Sequence, residues 1–223
     1  VMITGSSGKG KTQMLKYLIT AIRDSEANII ILDFKNDFVG DSHFIERASL
    51  ESIIVTFDGL PFNPLIPYGI VDPRDNSLYI QAAKHISGVA SVIKRTYKLG
   101  PQQEASVKKA IRDAFNEYNI DPTGMVPLDQ IKEYPDLNRV GEILLTQNAT
   151  AYSKLDPLFE LGLFKEEYRN TAFESLVNRS TAIDFSREPS DELKGALSQL
   201  LILSAHSYYN SKQHSGSLRQ VFV

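Results

Sequence analysis

The 223-residue sequence contains no cysteine. Disulfide bonds, thiolate metal sites and thiol catalysis are therefore excluded, and a cytoplasmic location is permitted. No apolar run approaches the roughly 20 residues that a membrane-spanning helix needs. The chain also has no excess of positive charge, since 24 Lys and Arg face 27 Asp and Glu and the formal net charge is −3. Any contact with DNA must therefore come from local patches.

What the chain does have is enough apolar sequence for a core. Hydrophobic residues make up 42% and charged residues 23% of the sequence, which is ordinary for a globular protein. The length suits one large α/β domain or a domain with an insertion.

The most informative motif lies at residues 5–12, which fit G-x-x-x-x-G-K-[ST] at every fixed position. Residues 1–4 before it predict a short buried strand, and residues 13–23 after it predict a helix with one apolar face. Glycines let successive N–H groups turn toward a phosphate chain, and a helix N-terminus presents its positive end to the same anion. The order strand, loop and helix favours a P-loop over a glycine-rich turn that binds nothing.

The motif predicts a site for ATP and Mg²⁺. Lys11 would reach the β- and γ-phosphates as a catalytic residue, and the Thr12 hydroxyl would be a ligand of Mg²⁺. Lys9 either adds charge near the phosphates or points outward. The predicted nucleotide-binding residues are Gly5, Ser6, Ser7, Gly8, Lys9, Gly10, Lys11, Thr12 and Gln13.

The rest of the sequence predicts an α/β fold. The apolar run 29–32 ends at Asp33, as in a strand buried on both faces of a parallel sheet. It completes a βαβ unit whose crossover is expected to be right-handed. Residues 76–165 instead predict helices almost throughout, with one helix ending and the next beginning at Gly100 and Pro101. Further strands are predicted at 53–57, 181–185 and 217–223, and a helix at 193–209.

We therefore predict a RecA-like P-loop NTPase core with a parallel sheet, in which the P-loop strand is central, and an all-helical insertion as one appended lobe. The predicted domains are 1–75 for the first part of the core, 76–165 for the insertion and 166–223 for the continuation of the core. In P-loop ATPases a strand that ends in an acidic residue supplies a second contact to Mg²⁺. We expect that residue beyond Val223, so this chain would be a segment of a longer protein and inactive by itself.

Three further motifs carry a family resemblance: Ile31–Phe38 with its Asp-x-Lys-x-Asp-Phe pattern, Phe62-Asn63-Pro64-Leu65, and Ile183-Asp184-Phe185-Ser186. Together with the P-loop, they resemble the HerA–FtsK superfamily of hexameric DNA-translocating ATPases, which includes the type IV secretion and conjugation ATPases. The chain also resembles the ATPase subunit of bacterial phosphorothioation-dependent DNA restriction systems.

The resemblance implies a cytoplasmic motor ATPase that acts on DNA, in restriction and defence or in DNA transfer. It also implies a homo-oligomeric ring and partner nuclease subunits. A P-loop regulatory switch and a nucleotide-ordered scaffold are the alternatives. An ABC transporter ATPase would carry a Leu-Ser-Gly-Gly-Gln run and a small GTPase an Asn-Lys-x-Asp run, and neither is present.

Other polar residues allow two interpretations each. Asp33 either orders Mg²⁺-bound water as a catalytic residue or caps the turn that follows it. Lys35 and Asp37 predict a surface turn pair. The cluster Lys94, Arg95 and Lys98 either contacts DNA or a subunit, or is a solvated helix end. Candidates for an arginine that reaches a neighbouring subunit's nucleotide are Arg169, Arg179 and Arg187. The histidines, His43, His85, His206 and His214, show no metal-ligand spacing.

Overall fold

In the computed structural model, which describes residues 10–24, 27–211 and 220–223, helices and strands alternate at first and helices then dominate. The helices are α1 (Lys11–Arg23), α2 (Ser42–Arg47), α3 (Val55–Asp58), α4 (Ala82–Tyr97), α5 (Pro101–Glu117), α6 (Leu137–Gln147), α7 (Ala149–Glu160), α8 (Glu174–Val177) and α9 (Asp191–Ser211). The strands are β1 (Asn28–Asp33), β2 (Glu51–Ile54), β3 (Ile70–Val71), β4 (Leu78–Ile80), β5 (Val126–Pro127), β6 (Thr181–Asp184) and β7 (Gln220–Phe222).

The chain divides into two units. The first unit contains the described residues of 10–57, 175–188 and 220–223, and the second contains those of 58–174 and 189–211. This grouping differs from the predicted domains 1–75, 76–165 and 166–223, and those domains stay a prediction.

The first unit is built on a parallel sheet with the strand order β2-β6-β1-β7. β1 pairs with β6, in a register that puts Asp33 beside Asp184, and with β7 on its other side. Ile29, Ile30 and Ile31 of β1 are fully buried, as expected for a strand whose side chains are apolar on both faces. The predicted parallel sheet of the core is therefore confirmed for β1, β2, β6 and β7.

Helices α1 and α2 cover one face of this sheet. Ile19 of α1 packs in one cluster with Ile29 and Ile31 of β1, with Phe44 of α2 and with Ala48, the C-cap residue of α2. Each fully buried large apolar side chain in such a cluster contributes about 1.5–3 kcal/mol to stability. Packing of this kind orients α1, and with it the residues at the start of the helix.

One of the further strand predictions is wrong at its end. The predicted strand 53–57 is β2 only as far as Ile54, because its partner strand β6 ends at Asp184; Val55–Asp58 then forms the short helix α3. The described part of the predicted strand 217–223 is β7, which ends at Phe222. The predicted P-loop strand at 1–4 and its central position lie outside the described residues.

The second unit consists mainly of helices. Helix α4 packs against α5 and α9, α5 packs against α6, and α6 packs against α7. As predicted, Pro101 is the first residue of α5 and Gly100 precedes it as the N-cap, since proline lacks the N–H that this position leaves unused. The predicted α/β fold with a helical insertion is confirmed.

A small antiparallel sheet in the order β3-β4-β5 also belongs to the second unit. The sequence patterns did not predict it. Its strands are only two or three residues long, which is too short to leave an alternating pattern that can be distinguished from loop sequence.

Asn63 fixes the loop that leads into the second unit. Its side chain is buried and all its hydrogen-bonding groups have partners within the unit. The amide Nδ2 donates to the carbonyl oxygens of Pro135 and Arg169, at 2.8 and 2.7 Å, and Oδ1 accepts from the N–H of Leu65 at 2.9 Å. One side chain thus joins three segments that are far apart in sequence.

His85 of α4 contacts the same loop and predicts a pH dependence. Its Nε2 donates to the carbonyl oxygen of Pro64 at 2.8 Å, and burial lowers the pKa of the imidazole while this hydrogen bond opposes the shift. A lowered folded pKa means that the unfolded chain binds the proton first. We therefore expect the unfolding free energy to be constant above pH of about 7 and to fall as the pH drops below about 6.5.

The measurement is a set of urea titrations at intervals between pH 5 and 8 for the wild type and His85→Gln. Glutamine can still donate to the carbonyl but does not titrate. We expect the variant to lose most of the slope of unfolding free energy against pH, which for one group is at most about 1.4 kcal/mol per pH unit. A wild type and a variant with the same slope would contradict the assignment to His85.

Candidate nucleotide-binding site

The structure describes the end of the predicted P-loop and the helix that follows it. Gly10 is the N-cap of α1 and has a φ of 78°, a left-handed conformation that glycine adopts without strain. Lys11 and Thr12 lie half-buried in the first turn of α1, and Gln13 is exposed. The remaining predicted site residues, Gly5, Ser6, Ser7, Gly8 and Lys9, lie outside the described residues.

The first turn of α1 suits a phosphate chain. The first N–H groups of an α-helix have no partner within the helix, and the helix dipole makes this end positive. Gly10 has no side chain that could cap them, and the first turn contains no acidic side chain. Lys11 adds a positive charge and Thr12 adds a hydroxyl oxygen, a ligand type that Mg²⁺ accepts. The residues present therefore fit a Mg²⁺–nucleotide, and the roles of Lys11 and Thr12 stay predictions.

Asp33 lies at the carboxyl end of β1 and is 1% exposed. Its Oδ1 accepts hydrogen bonds from the N–H groups of Lys35 and Asp37, and its Oδ2 accepts from those of Phe38 and Val39, at 2.9 to 3.2 Å. Both oxygens are thus engaged by the turn at 34–40, on which Lys35 and Asp37 are exposed. The geometry supports the capping interpretation, and a catalytic role of Asp33 through Mg²⁺-bound water stays a prediction.

The substitution Asp33→Asn separates these two interpretations. Asparagine has one acceptor oxygen, and its NH₂ group would face two N–H donors, so we expect a loss of unfolding free energy of about 3 kcal/mol. The measurement is urea unfolding, with Asp37→Asn on the same turn as the control that changes an exposed carboxylate. A variant that keeps wild-type stability but loses ATP turnover would show instead that Asp33 acts on the nucleotide.

Asp184 is the neighbour of Asp33 on the adjacent strand, at the same carboxyl edge of the sheet. It is also 1% exposed. Its Oδ1 accepts from the N–H of Ser186 at 2.7 Å, and Arg187 Nε lies 3.9 Å from its Oδ2. Ligands of open α/β sheets collect at this edge. In the sequence, Asp184 stood out only as part of a family motif.

An ion pair that the sequence did not predict joins α1 to α2. Lys16 Nζ lies 2.7 Å from Asp41 Oδ2, with side chains that are 7% and 37% exposed. The rings of Phe38 and Phe44 lie 5.9 and 5.3 Å from the ammonium group. The hydrogen bond from Lys16 holds the pKa of the Asp41 carboxyl below its usual range. The signal in the sequence is that Lys16 interrupts the apolar face of α1 next to Ile19.

The three candidate arginines all have partners in this structure. Arg169 lies 3.4 Å from Asp136 Oδ2, and Arg179 Nη1 lies 2.7 and 2.9 Å from the two carboxylate oxygens of Glu51. Arg187 lies over the ring of Phe57 with 5.8 Å to the ring centroid. A role for any of them at a neighbouring subunit stays a prediction.

Lys94, from the predicted basic cluster, forms an ion pair between α4 and α5. Its Nζ lies 2.5 Å from Glu104 Oε2, and a contact of the cluster with DNA or a subunit stays a prediction. Within residues 10–24, 27–211 and 220–223, no group of three or more His, Asp and Glu side chains is placed to hold a metal ion. None of the helices in this part of the chain is long and apolar enough to cross a membrane.

Comparisons with known proteins bear on this site. A family model described as the type IV secretion-system coupling protein DNA-binding domain matches residues 1–58. This stretch contains the P-loop motif and the turn held by Asp33. VirB4 of Thermoanaerobacter pseudethanolicus is similar in structure, with a TM-score of 0.57 and 19% sequence identity, over 92% of this chain and 55% of that chain. No curated protein sequence matches this chain.

The structural likeness to VirB4 concerns the fold, because the two sequences are only 19% identical. The present chain spans 55% of the length of the VirB4 chain. The likeness therefore supports the α/β fold class, whereas the activity, substrates and partners of a whole protein are proposals.

Proposed function

We propose that this chain is the ATP-binding part of a motor ATPase that moves DNA in a transfer process. The observation that carries the proposal is the family-model match over residues 1–58. The matched stretch includes the motif at residues 5–12 and the start of α1, whose first turn fits a phosphate chain. The fold shared with VirB4 supports the same conclusion.

In this proposal the nucleotide lies at the N-terminus of α1. Lys11 would neutralise the β- and γ-phosphates, and Thr12 would hold Mg²⁺, which would offset the charge that develops during phosphoryl transfer. The N–H groups of the first turn of α1 orient the phosphate chain. Turnover would also need an acidic residue that contacts the metal.

The finer parts of the proposal rest on the family resemblance alone. They are membership of the HerA–FtsK superfamily, a homo-oligomeric ring, partner nuclease subunits, a cytoplasmic location and a role in DNA restriction as an alternative to DNA transfer. The net charge of −3 requires that DNA be held by local basic patches, so binding should weaken steeply as salt rises.

The proposal predicts DNA-stimulated ATP turnover. The full-length protein is assayed for ATP hydrolysis with and without duplex DNA at several salt concentrations, and its mass in solution is measured with ATP. We expect turnover to rise with DNA, the rise to disappear at high salt, and the mass to be that of an oligomer. Stimulation only by phosphorothioate-modified DNA would favour restriction over transfer.

Two results would contradict the motor. A monomer that hydrolyses ATP at the same rate with and without DNA is a regulatory switch. A protein that binds ATP without hydrolysing it is a scaffold that nucleotide orders.

A further inference from the structure

We propose that Lys16 and Asp41 are positioning residues for the nucleotide: their ion pair fixes the start of α1 against the turn that Asp33 holds. This inference rests on the proposed function, since it assumes that nucleotide binds at the first turn of α1. It assigns a role to a buried lysine that does not itself reach the phosphates.

One end of the ion pair lies directly behind the candidate site. Lys16 follows Thr12 by four residues, so the two side chains share a face of α1 and their Cα atoms are separated by about 6 Å along the axis. Both lie in the first half of the helix, α1 (Lys11–Arg23). A displacement of α1 at Lys16 therefore displaces Thr12 and Lys11 by a similar amount.

The other end of the ion pair is held by two neighbouring elements. Asp41 is the N-cap of α2, and its Oδ1 accepts from the N–H of Phe44 at 3.0 Å. The Asp41 N–H donates to the carbonyl oxygen of Phe38 at 3.1 Å. Phe38 in turn donates its N–H to Asp33 Oδ2 at 2.9 Å. A continuous series of hydrogen bonds thus runs from Lys16 to the turn at the carboxyl edge of the sheet.

Stability alone does not account for a charged pair at this position. Replacing an ion pair by apolar side chains of similar volume is often neutral or stabilising where charge must leave water, and here the ammonium of Lys16 is buried while Asp41 stays partly exposed. The ion pair adds a directional contact between two specific atoms. The ammonium of Lys16 has a short contact to one carboxylate oxygen and lies 5.9 and 5.3 Å from the ring centroids of Phe38 and Phe44, whereas apolar packing would allow α1 to shift along its axis.

The far end of α1 supplies a matched control. Arg23 Nη1 donates to the carbonyl oxygen of Arg47 at 2.6 Å, so it also joins α1 to α2, but at the end of the helix opposite Lys11. If the role of Lys16 is to position the first turn, removal of the contact at Arg23 should leave nucleotide binding unchanged. If α1 merely needs to be attached to α2, loss of the Lys16 contact and loss of the Arg23 contact should weaken nucleotide binding equally.

The experiment measures MgATP binding by calorimetry with the full-length wild type, Lys16→Met and Arg23→Gln. We expect binding to Lys16→Met to be about 10-fold weaker, which corresponds to about 1.4 kcal/mol, and binding to Arg23→Gln to be unchanged. Lys16→Met should fold, because Asp41 keeps its N-cap bond and is partly exposed. Should it unfold, Asp41→Asn decides by the same measurement, since asparagine also caps helices.

Hydrogen exchange gives a readout that a purely structural role would not change. In the wild type, MgATP should slow exchange of the amides that Asp33 holds, those of Lys35, Asp37, Phe38 and Val39. In folded Lys16→Met the same concentration of bound nucleotide should leave the exchange rates of these amides unchanged, because the contact between α1 and Asp41 is missing.

The outcomes separate this inference from the proposed function. A wild type that does not bind MgATP overturns the proposed function and this inference with it. A wild type that binds, together with a folded Lys16→Met variant that binds equally well and shows the same protection, overturns the inference alone. Equal weakening in Lys16→Met and Arg23→Gln also overturns it, since the pair would then only attach the helix.

Discussion

Replacement of Lys11 by alanine is expected to abolish ATP turnover by the full-length protein and to weaken nucleotide binding strongly. Lys11 lies in the first turn of α1, where its ammonium neutralises phosphate oxygens in both the ground state and the transition state. Loss of a single preorganised electrostatic contact of this kind lowers kcat by about 100- to 1,000-fold. A steady-state ATPase assay measures the effect.

Two other substitutions make the test specific. Lys84→Ala removes an exposed lysine elsewhere and should leave turnover unchanged. Thr12→Ala should lose Mg²⁺-dependent turnover while it keeps more of the nucleotide affinity than Lys11→Ala, since it removes one metal ligand, and Thr12→Ser should retain activity because it keeps the hydroxyl. Turnover of Lys11→Ala within about twofold of the wild type would contradict the assignment of the P-loop.

The elements with strong local patterns were predictable from the sequence. The run 29–32 followed by Asp33 predicted β1, and the apolar spacing of α9 predicted a helix at 193–209, close to the observed Asp191–Ser211. Hydrophobic periodicity decides such cases because one face must be buried whatever the partner is.

The extent of β2 was not predictable in this way. Residues 53–57 have strand propensity throughout, but the strand stops at Ile54 because β6 ends at Asp184. A strand persists only where a neighbour supplies hydrogen bonds, and that neighbour comes from a segment about 130 residues later in the sequence. The prediction failed at the step that depends on non-local pairing.

The candidate site shows the same limit. The P-loop motif is local, so it could be identified without a structure, and the described start of α1 fits it. The position of Asp33 at a strand end was also predicted, but its two possible roles use the same position, and its four backbone partners could be identified only from the structure. Lys16 and Asp41 are 25 residues apart, and nothing local in either segment pairs them.

Replacement of Asn63 by alanine should strongly destabilise the second unit. It removes two buried hydrogen bonds and one part-buried hydrogen bond and leaves the carbonyl oxygens of Pro135 and Arg169 and the N–H of Leu65 without this partner. Each unmet buried group costs about 1–3 kcal/mol, so we expect a loss of at least about 3 kcal/mol in total. Hydrogen exchange of α5 and α6, together with thermal unfolding, measures the loss.

Two further variants decide whether hydrogen bonding is the cause. Asn116→Ala changes an exposed asparagine on α5, and its unfolding free energy should stay within about 0.5 kcal/mol of the wild type.

Asn63→Asp keeps the shape of the side chain but turns a carboxylate toward two carbonyl oxygens, so the folded pKa of this carboxyl should be raised. The loss of unfolding free energy in Asn63→Asp should therefore be largest above the folded pKa. It should diminish as the pH falls from the folded pKa toward the unfolded pKa, because a protonated carboxyl can donate one hydrogen bond. A penalty of Asn63→Ala no larger than that of Asn116→Ala would mean that the three bonds add nothing net to the fold. A penalty of Asn63→Asp that does not depend on pH would mean that shape, rather than donation to Pro135 and Arg169, is what this position requires.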